Sequence, residues 1–364
     1  MTSGRARDSG RGTTSCRPPS DGTVGARWFA LGVATAVTVI VAGCGATNPT
    51  ASPKASTVPG PTLSLKFADL QNVHTATTDS ALKFASLVNK YTDGKITIQV
   101  YPNSELGTVP AQLAGTEAGT IAFYATPDLS AAVAQSNVLG MPYLFPSAQV
   151  ASKVLNSAAI KKSLWSLFPA HGLTFVGSWV IGYTAILTKS VSITKPSDVR
   201  GLKIRVFAPT VGDKIFGALG ADAVAVAAPE VPTALSTGVV DGADDPPSTF
   251  VGSDWYSGMC CVAVTNDTFV SSPVMASTKV WDSMSAAERS AVERAFQGTI
   301  ASNMSEALST NAAALSTMQA AGVKVTHPSI AAFKAATQSV YPAIEAIYPG
   351  QVQALLAEIK RVTG

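Results

Sequence analysis

The segment 201–247 constrains this chain more than any other. Gly201-Leu-Lys-Ile-Arg205-Val alternates polar and apolar side chains, the period of a half-buried strand. The pattern then predicts a helix over 209–219, a strand over 223–227 and an amphipathic helix over 229–237. Gly238-Val-Val-Asp-Gly242 follows as a short strand and turn, with two carboxylates, Asp244 and Asp245, at its tip before Pro246. Strands alternating with helices specify an α/β lobe. Open α/β sheets bind ligands at strand ends. Arg205 and the Asp244–Asp245 pair fall at such ends, so one fixed cation and several acceptors are expected there. Asp241 and Glu230 are expected to serve the turn and the helix start instead.

The remaining chain supports a second lobe. With 364 residues there is enough material for two lobes, each with its own core. Leu63, Leu65 and Phe67 alternate as a strand, and a helix is predicted over 79–91, capped by Asp79 or Ser80. After the Asp93-Gly94 turn, Ile96, Ile98 and Val100 form the next strand, so the opening reads βαβ. The run 129–152 carries no charge, but Pro142 and Pro146 break it, which predicts buried core at a lobe junction rather than a membrane span. A long helix is expected from Ser285, whose capping box is completed by Glu288, to about Ala320. A short strand near Val323 and helices over 329–346 and 350–362 close the chain.

Charge excludes some classes and the N-terminus adds an address. Charged residues make up 13% of the chain and the net charge is +3, with no Lys/Arg run of phosphate-binding density, so no nucleic-acid partner is expected. Arg5, Arg7, Arg11, Arg17 and Arg27 precede the apolar run 28–43, the pattern of an export signal occupying 1–43. Val41-Ala42-Gly43-Cys44 resembles a lipobox, which implies lipidation of Cys44 and attachment to the membrane through it. A single transmembrane anchor is the competing reading, but the run is short for a span of roughly 20 residues. Residues 44–62 read as a tether, too poor in apolar side chains to bury a core. Cys260 and Cys261 then remain, as two buried thiols or a vicinal disulfide. No metal site or cofactor is expected, and the histidines His74, His171 and His327 stand isolated. Nucleophile-elbow, phosphate-loop and zinc-protease motifs do not occur, so an enzyme is not expected.

The 201–247 block is joined by Tyr91-Thr-Asp-Gly-Lys95, Tyr101-Pro-Asn-Ser-Glu-Leu-Gly107, Val138-Leu-Gly-Met-Pro-Tyr-Leu-Phe145 and Ala321-Gly-Val-Lys-Val-Thr-His-Pro328. In this order and spacing they resemble the DctP-type solute receptors of tripartite (TRAP) transporters. These are extracytoplasmic proteins that hand small organic acids to a sodium-driven membrane pump. The resemblance covers residues 63–362 and implies an α/β, two-lobed, periplasmic-binding-protein-like fold. A ligand cleft would lie between the lobes, with long C-terminal helices. The expected lobes are 63–182 plus about 271–305, and 183–270 plus about 306–364. Small and large permease subunits are the implied partners.

The same resemblance assigns roles to residues. Arg205 stands where the family's arginine holds the substrate carboxylate, a task suited to its fork of donors; the alternative is a structural ion pair. The family's Asp-Gly-Gln-Glu-Asn-Pro reads here as Asp241-Gly-Ala-Asp-Asp-Pro246, so Asp245 replaces a ligand-contacting asparagine. An ionised aspartate only accepts hydrogen bonds. It would repel a carboxylate and attract a hydroxyl or an ammonium, or else pair with Arg205 and tune it. No Lys or Arg lies between Lys162 and Lys189, where the family often has a second arginine, and Ala228 replaces a frequent aromatic. The expected ligand therefore has one carboxylate plus hydroxyl or amine groups. The first lobe would contribute His74 in the 70–75 loop, Tyr124 and Asp128. Trp179 and Tyr183 could stack on a ligand where the chain passes between lobes, with core or rim packing as the alternative. A ligand-sensing lipoprotein and a lipid-anchored hydrolase are the rival readings.

Overall fold

The computed structural model describes residues 62–364. The export signal, Cys44 and the tether up to residue 61 lie outside the described residues. β1 (Leu63–Asp69) alternates exposed and half-buried positions until Phe67, where it enters the core. α1 (Ala76–Tyr91) starts a turn earlier than the sequence suggested, because Thr75 is the cap and its hydroxyl accepts the Thr78 N–H at 3.3 Å. Asp79 thus falls inside the first turn, where its charge suits the helix dipole. β2 (Ile96–Tyr101), α2 (Val109–Ala118) and β3 (Phe123–Ala125) follow, with β2 and β3 parallel to β1 on either side. The uncharged run folds as a 3₁₀ turn (Ala134–Gly140) and α3 (Ala148–Leu155), burying Val138, Met141, Leu144 and Phe145. Among the described residues no helix is long and apolar enough to cross a membrane.

α4 (Ala158–Ser163) and β4 (Leu173–Tyr183) complete the first pass. The second lobe is built from β5 (Ala185–Thr188), β6 (Lys203–Val206), α5 (Pro209–Leu219), β7 (Asp222–Ala225), α6 (Val231–Thr237), β8 (Gly242–Asp245), α7 (Pro247–Gly252) and β9 (Cys261–Ala263). β10 (Phe269–Ser277) returns to the first sheet, antiparallel to β3 and β4. Then come α8 (Thr278–Ser283), α9 (Ala286–Ala320) and β11 (Lys324–Thr326), followed by α10 (Ile330–Ala336), α11 (Val340–Glu345) and α12 (Pro349–Thr363). The α9 capping box is present, with the Ser285 N–H donating to Glu288 Oε2 at 2.7 Å. The single helix expected over 329–346 is broken after Ala336, where the Thr337 hydroxyl donates to the Phe333 carbonyl. α12, in a segment expected with the second lobe, instead packs on α3 and α4.

Two sheets result, ordered β2-β1-β3-β10-β4 and β11-β9-β5-β8-β6-β7. Each is the centre of one α/β lobe. Three connections join them: Thr184, residues 264–268, and α8 with α9 between β10 and β11. Thr184 N–H donates to the Thr268 carbonyl at 2.9 Å, and Asn266 N–H to the Thr184 carbonyl at 3.0 Å. The Thr184 hydroxyl donates to Asp267 Oδ1 at 3.1 Å, and the Thr265 hydroxyl donates to the same oxygen. Of the two states open to Cys260 and Cys261, the structure has the disulfide, at the start of β9.

β4 is an edge strand, and three asparagines occupy its free side. Asn156 accepts from Ser178 N–H at 2.9 Å and donates to Ser178 O at 3.0 Å. Asn303, on α9, does the same for Val180 at 2.7 and 3.3 Å. Asn311, two turns further, donates to Ile181 O at 2.8 Å and accepts from Ser248 N–H of α7 at 3.0 Å. On its other face β4 joins an aromatic core of Phe67, Phe84, Phe123, Trp179 and Phe296. Here the strand runs so close to α9 that a Cβ on Gly177 would lie 1.9 Å from the Phe296 ring. Gly177→Ala is therefore expected to destabilise the fold by about 1–3 kcal/mol, the range of core overpacking. Chemical denaturation measures this, and an unchanged unfolding midpoint would refute the tight β4–α9 contact.

Candidate ligand site between the lobes

Arg205 and Asp245 sit on neighbouring strands, β6 and β8, near their carboxyl ends. The Arg205 Nη1 donates to Asp245 Oδ2 at 2.5 Å, and its Nε donates to the Val226 carbonyl at 3.0 Å. The guanidinium lies over the Trp255 ring, 4.9 Å from its centroid. Arg205 is 3% exposed and Asp245 8%. Of the arrangements given for Arg205, the ion pair with Asp245 is present. Burial raises the pKa of Asp245 above the usual carboxylate range, opposed first by Arg205 and then by the Thr249 hydroxyl.

Asp244 does not join that pair. Successive side chains on a strand point to opposite faces, and Asp244 lies in register with Ile186 on the face away from Arg205. It is buried with one carboxylate oxygen unpartnered. Burial, then Asp267 and Asp245, push its pKa well above the carboxylate range. Asp244 thus belongs to the buried crossover cluster with Asp267, not to a ligand contact.

Two cavities flank this region. The larger, about 230 Å³, opens between the β1–α1 loop, α7 and α9. Its polar lining includes Gln71, Asn72, His74, Thr249 and Thr310. Asn72 spans the lobes, its Nδ2 donating to Gly252 O at 2.7 Å and Ser253 Oγ at 2.9 Å. The lobes therefore meet across the cleft. Thr249 faces this cavity and also bears on Asp245, so it links the ion pair to the space. His74 lines the cavity in a left-handed backbone conformation, φ 64°. The smaller gap, about 30 Å³, is bordered by Asp128, Asn137, Phe207 and Phe269; that is room for a water or two. Asp128 is partly committed there, its Oδ1 accepting the Ser130 N–H at 2.8 Å.

Three nominated aromatics are corrected to structural roles. Trp179 is 1% exposed in the first-lobe core, and its indole N–H donates to Thr299 Oγ1 at 2.8 Å. Tyr124 is sealed between β1 and β10, and burial raises its pKa. Tyr183 is half-buried; its hydroxyl donates to the Phe145 carbonyl at 3.0 Å and its ring packs edge-on to Phe269. Burial pushes its pKa up to about 12. Conversely, sequence reasoning missed Trp255. The signal was a bulky aromatic inside the turn-rich Gly252-Ser-Asp-Trp-Tyr-Ser-Gly258, which no exposed loop requires.

Asp69, also unforeseen, shapes the cavity loop. Its carboxylate accepts from the Thr78 hydroxyl at 2.6 Å and from the Gln71 N–H at 3.0 Å. Burial pushes its pKa up to about 6, against those two hydrogen bonds. A raised folded-state value favours the protonated form, so the group's stability contribution is complete below its ordinary 3.8 and lost as pH rises through about 6. Relative to Asp69→Asn, the native protein is expected to lose stability between about pH 4 and pH 7. Unfolding midpoints at both pH values check this, and parallel behaviour of the two proteins would contradict it.

Two α/β lobes, paired crossovers, a spanning helix and a cavity where the lobes meet together define a two-lobed solute-binding protein. Bacterial extracellular solute-binding protein family 7, DctP, matches residues 67–346, and this chain belongs to that family. The C4-dicarboxylate-binding periplasmic protein DctP of Rhodobacter capsulatus is 31% identical over 280 residues, 76% of this chain and 83% of the relative. The sugar acid binding protein DctPAm of Advenella mimigardefordensis, solved with galactonate, matches with a TM-score of 0.78 at 26% identity. That match covers 83% of this chain and 99% of the other. A TRAP periplasmic solute binding protein of Ochrobactrum anthropi matches with a TM-score of 0.75 at 27% identity, covering 83% and 96%. The family consists of extracytoplasmic binding proteins.

Proposed function

We propose that this chain is the solute receptor of a TRAP-type transporter and closes its lobes on a small hydroxylated organic acid with a single carboxylate. The observation that carries this reading is the inter-lobe cavity of about 230 Å³, a largely apolar surface set with hydroxyl and amide groups, with Thr249 standing between it and the buried Arg205–Asp245 pair, which itself lines neither cavity. One cation suits one carboxylate. Hydroxyl and amide walls suit the alcohol groups of a sugar acid, the class to which the galactonate bound by the Advenella relative belongs. A dicarboxylate would leave its second charge without a partner, so the relation to a C4-dicarboxylate-binding protein does not fix the ligand. Small and large permease subunits would read the closed form. Lipid on Cys44 would hold the receptor at the membrane. The reading includes no catalysis.

A thermal-shift series with galactonate, lactate, succinate, polyols and amines tests the ligand class. Hydroxy monocarboxylates are expected to raise the melting temperature, with ligand at 100 times its dissociation constant adding about 2.7 kcal/mol. Stabilisation by dicarboxylates alone would overturn it. Arg205→Ala would strand a buried Asp245, so Arg205→Lys and the double variant Arg205→Ala/Asp245→Ala are the fair tests. Each is expected to lose affinity about tenfold or more, the worth of a charge-assisted hydrogen bond. Separately, Cys44→Ala is expected to move the exported protein from the membrane fraction to the soluble one, and continued membrane retention would remove the lipid anchor from this reading.

A further inference from the structure

The Arg205–Asp245 ion pair has a consequence for how an acid can be captured. An anion approaching Arg205 meets a cation that already holds a carboxylate at 2.5 Å. The rest of the guanidinium is boxed in by the Val226 carbonyl and the Trp255 ring. Both side chains are almost sealed from water, at 4% and 12% exposure. Among the described residues no second cation bears on Asp244 or Asp245. Arg205 from β6 is the charged group that faces Asp245; Asp244, next to it on β8, still bears on it but points to the opposite face, where it meets Asp267 and Tyr143. From α7 Asp245 meets the uncharged Thr249, which lines the larger cavity together with His74. Two carboxylates sharing one buried cation cannot both stay ionised without a large penalty.

We propose that Arg205 and Asp245 work as one recognition unit that admits an anionic ligand only with a proton, taken up by Asp245 as Arg205 transfers its bond to the ligand carboxylate. The exchange balances: one anion and one proton enter, Asp245 becomes a neutral acid, and the charge of the site is unchanged. The neutral carboxyl gains a donor hydrogen, which the ligand carboxylate or a ligand hydroxyl can accept. Burial already draws Asp245 towards the protonated form even while Arg205 is bound to it, so loss of that partner completes the shift. An asparagine at this position would offer the donor without the proton. Asp245 is therefore the residue that makes capture sensitive to pH. This inference rests on the acid-receptor reading above, and the experiment separates the two.

Isothermal titration of the whole chain and of Asp245→Asn with galactonate, lactate and succinate is run at about pH 6, 7 and 8 in buffers of different ionisation heat. For the native protein, uptake of close to one proton is expected, with affinity falling about tenfold per pH unit in the upper part of the range. Asp245→Asn is expected to bind without proton uptake and independently of pH, and more tightly than native protein at the highest pH. Native binding with no proton uptake and a flat pH profile would overturn the proton coupling and leave the acid receptor standing. Binding of none of the three acids by either protein would sink the acid-receptor reading, and the coupling with it. Should the variant not fold, the proton count on the native protein decides alone.

Discussion

The two lobes hold their relation through the knot where the crossovers touch. Thr184 and the 265–268 turn bond to each other through backbone and hydroxyl, and Asp267 gathers the hydroxyls of Thr184 and Thr265. A buried carboxylate is costly unless its oxygens are satisfied. Here its acceptors are what bring the crossovers together, and Tyr143 adds a third strand of chain by donating its N–H to the Asp267 carbonyl at 2.6 Å. Loosening this point would leave the sheets intact but free their relative position. Hinges that absorb motion in few residues are the usual device of two-lobed binding proteins, and this knot has the required connectivity.

The ion pair at the head of β6 and β8 belongs to the same economy of buried charge. Burying Arg205 without Asp245, or the reverse, would leave an uncompensated ion. Trp255 covers the flat face of the guanidinium, adding cation–π attraction and excluding water. The pair is thus held in place by contacts of its own lobe.

Much of this architecture was legible in the sequence. The helix expected over about 209–219 is α5, where Pro209 fits a first-turn position and Gly220 ends the helix in the left-handed region. Ser285 and Glu288 announced α9 by their spacing. The opposite directions of Asp244 and Asp245 follow from strand alternation and were open to the same reasoning. Trp179 and Tyr183 misled because β4 is apolar on both faces, so its period carries no orientation. Trp255 under Arg205, the Asp69–Thr78 bond and the state of Cys260 and Cys261 depend on loops returning across the fold. No local pattern encodes those distances.

The asparagines along β4 bear on how the protein meets other chains outside the cytoplasm. An uncovered outer strand is a template on which another chain can add itself. At Ser178 and Val180 both main-chain groups that face outward are occupied by side-chain amides, and at Ile181 the carbonyl is. Asn303 and Asn311 are eight positions apart on one helix, about 12 Å along its axis, so a single rod seals the border of the sheet. The lobe can therefore crowd against its neighbours without being stitched to them, and its margin is left as inert as its interior.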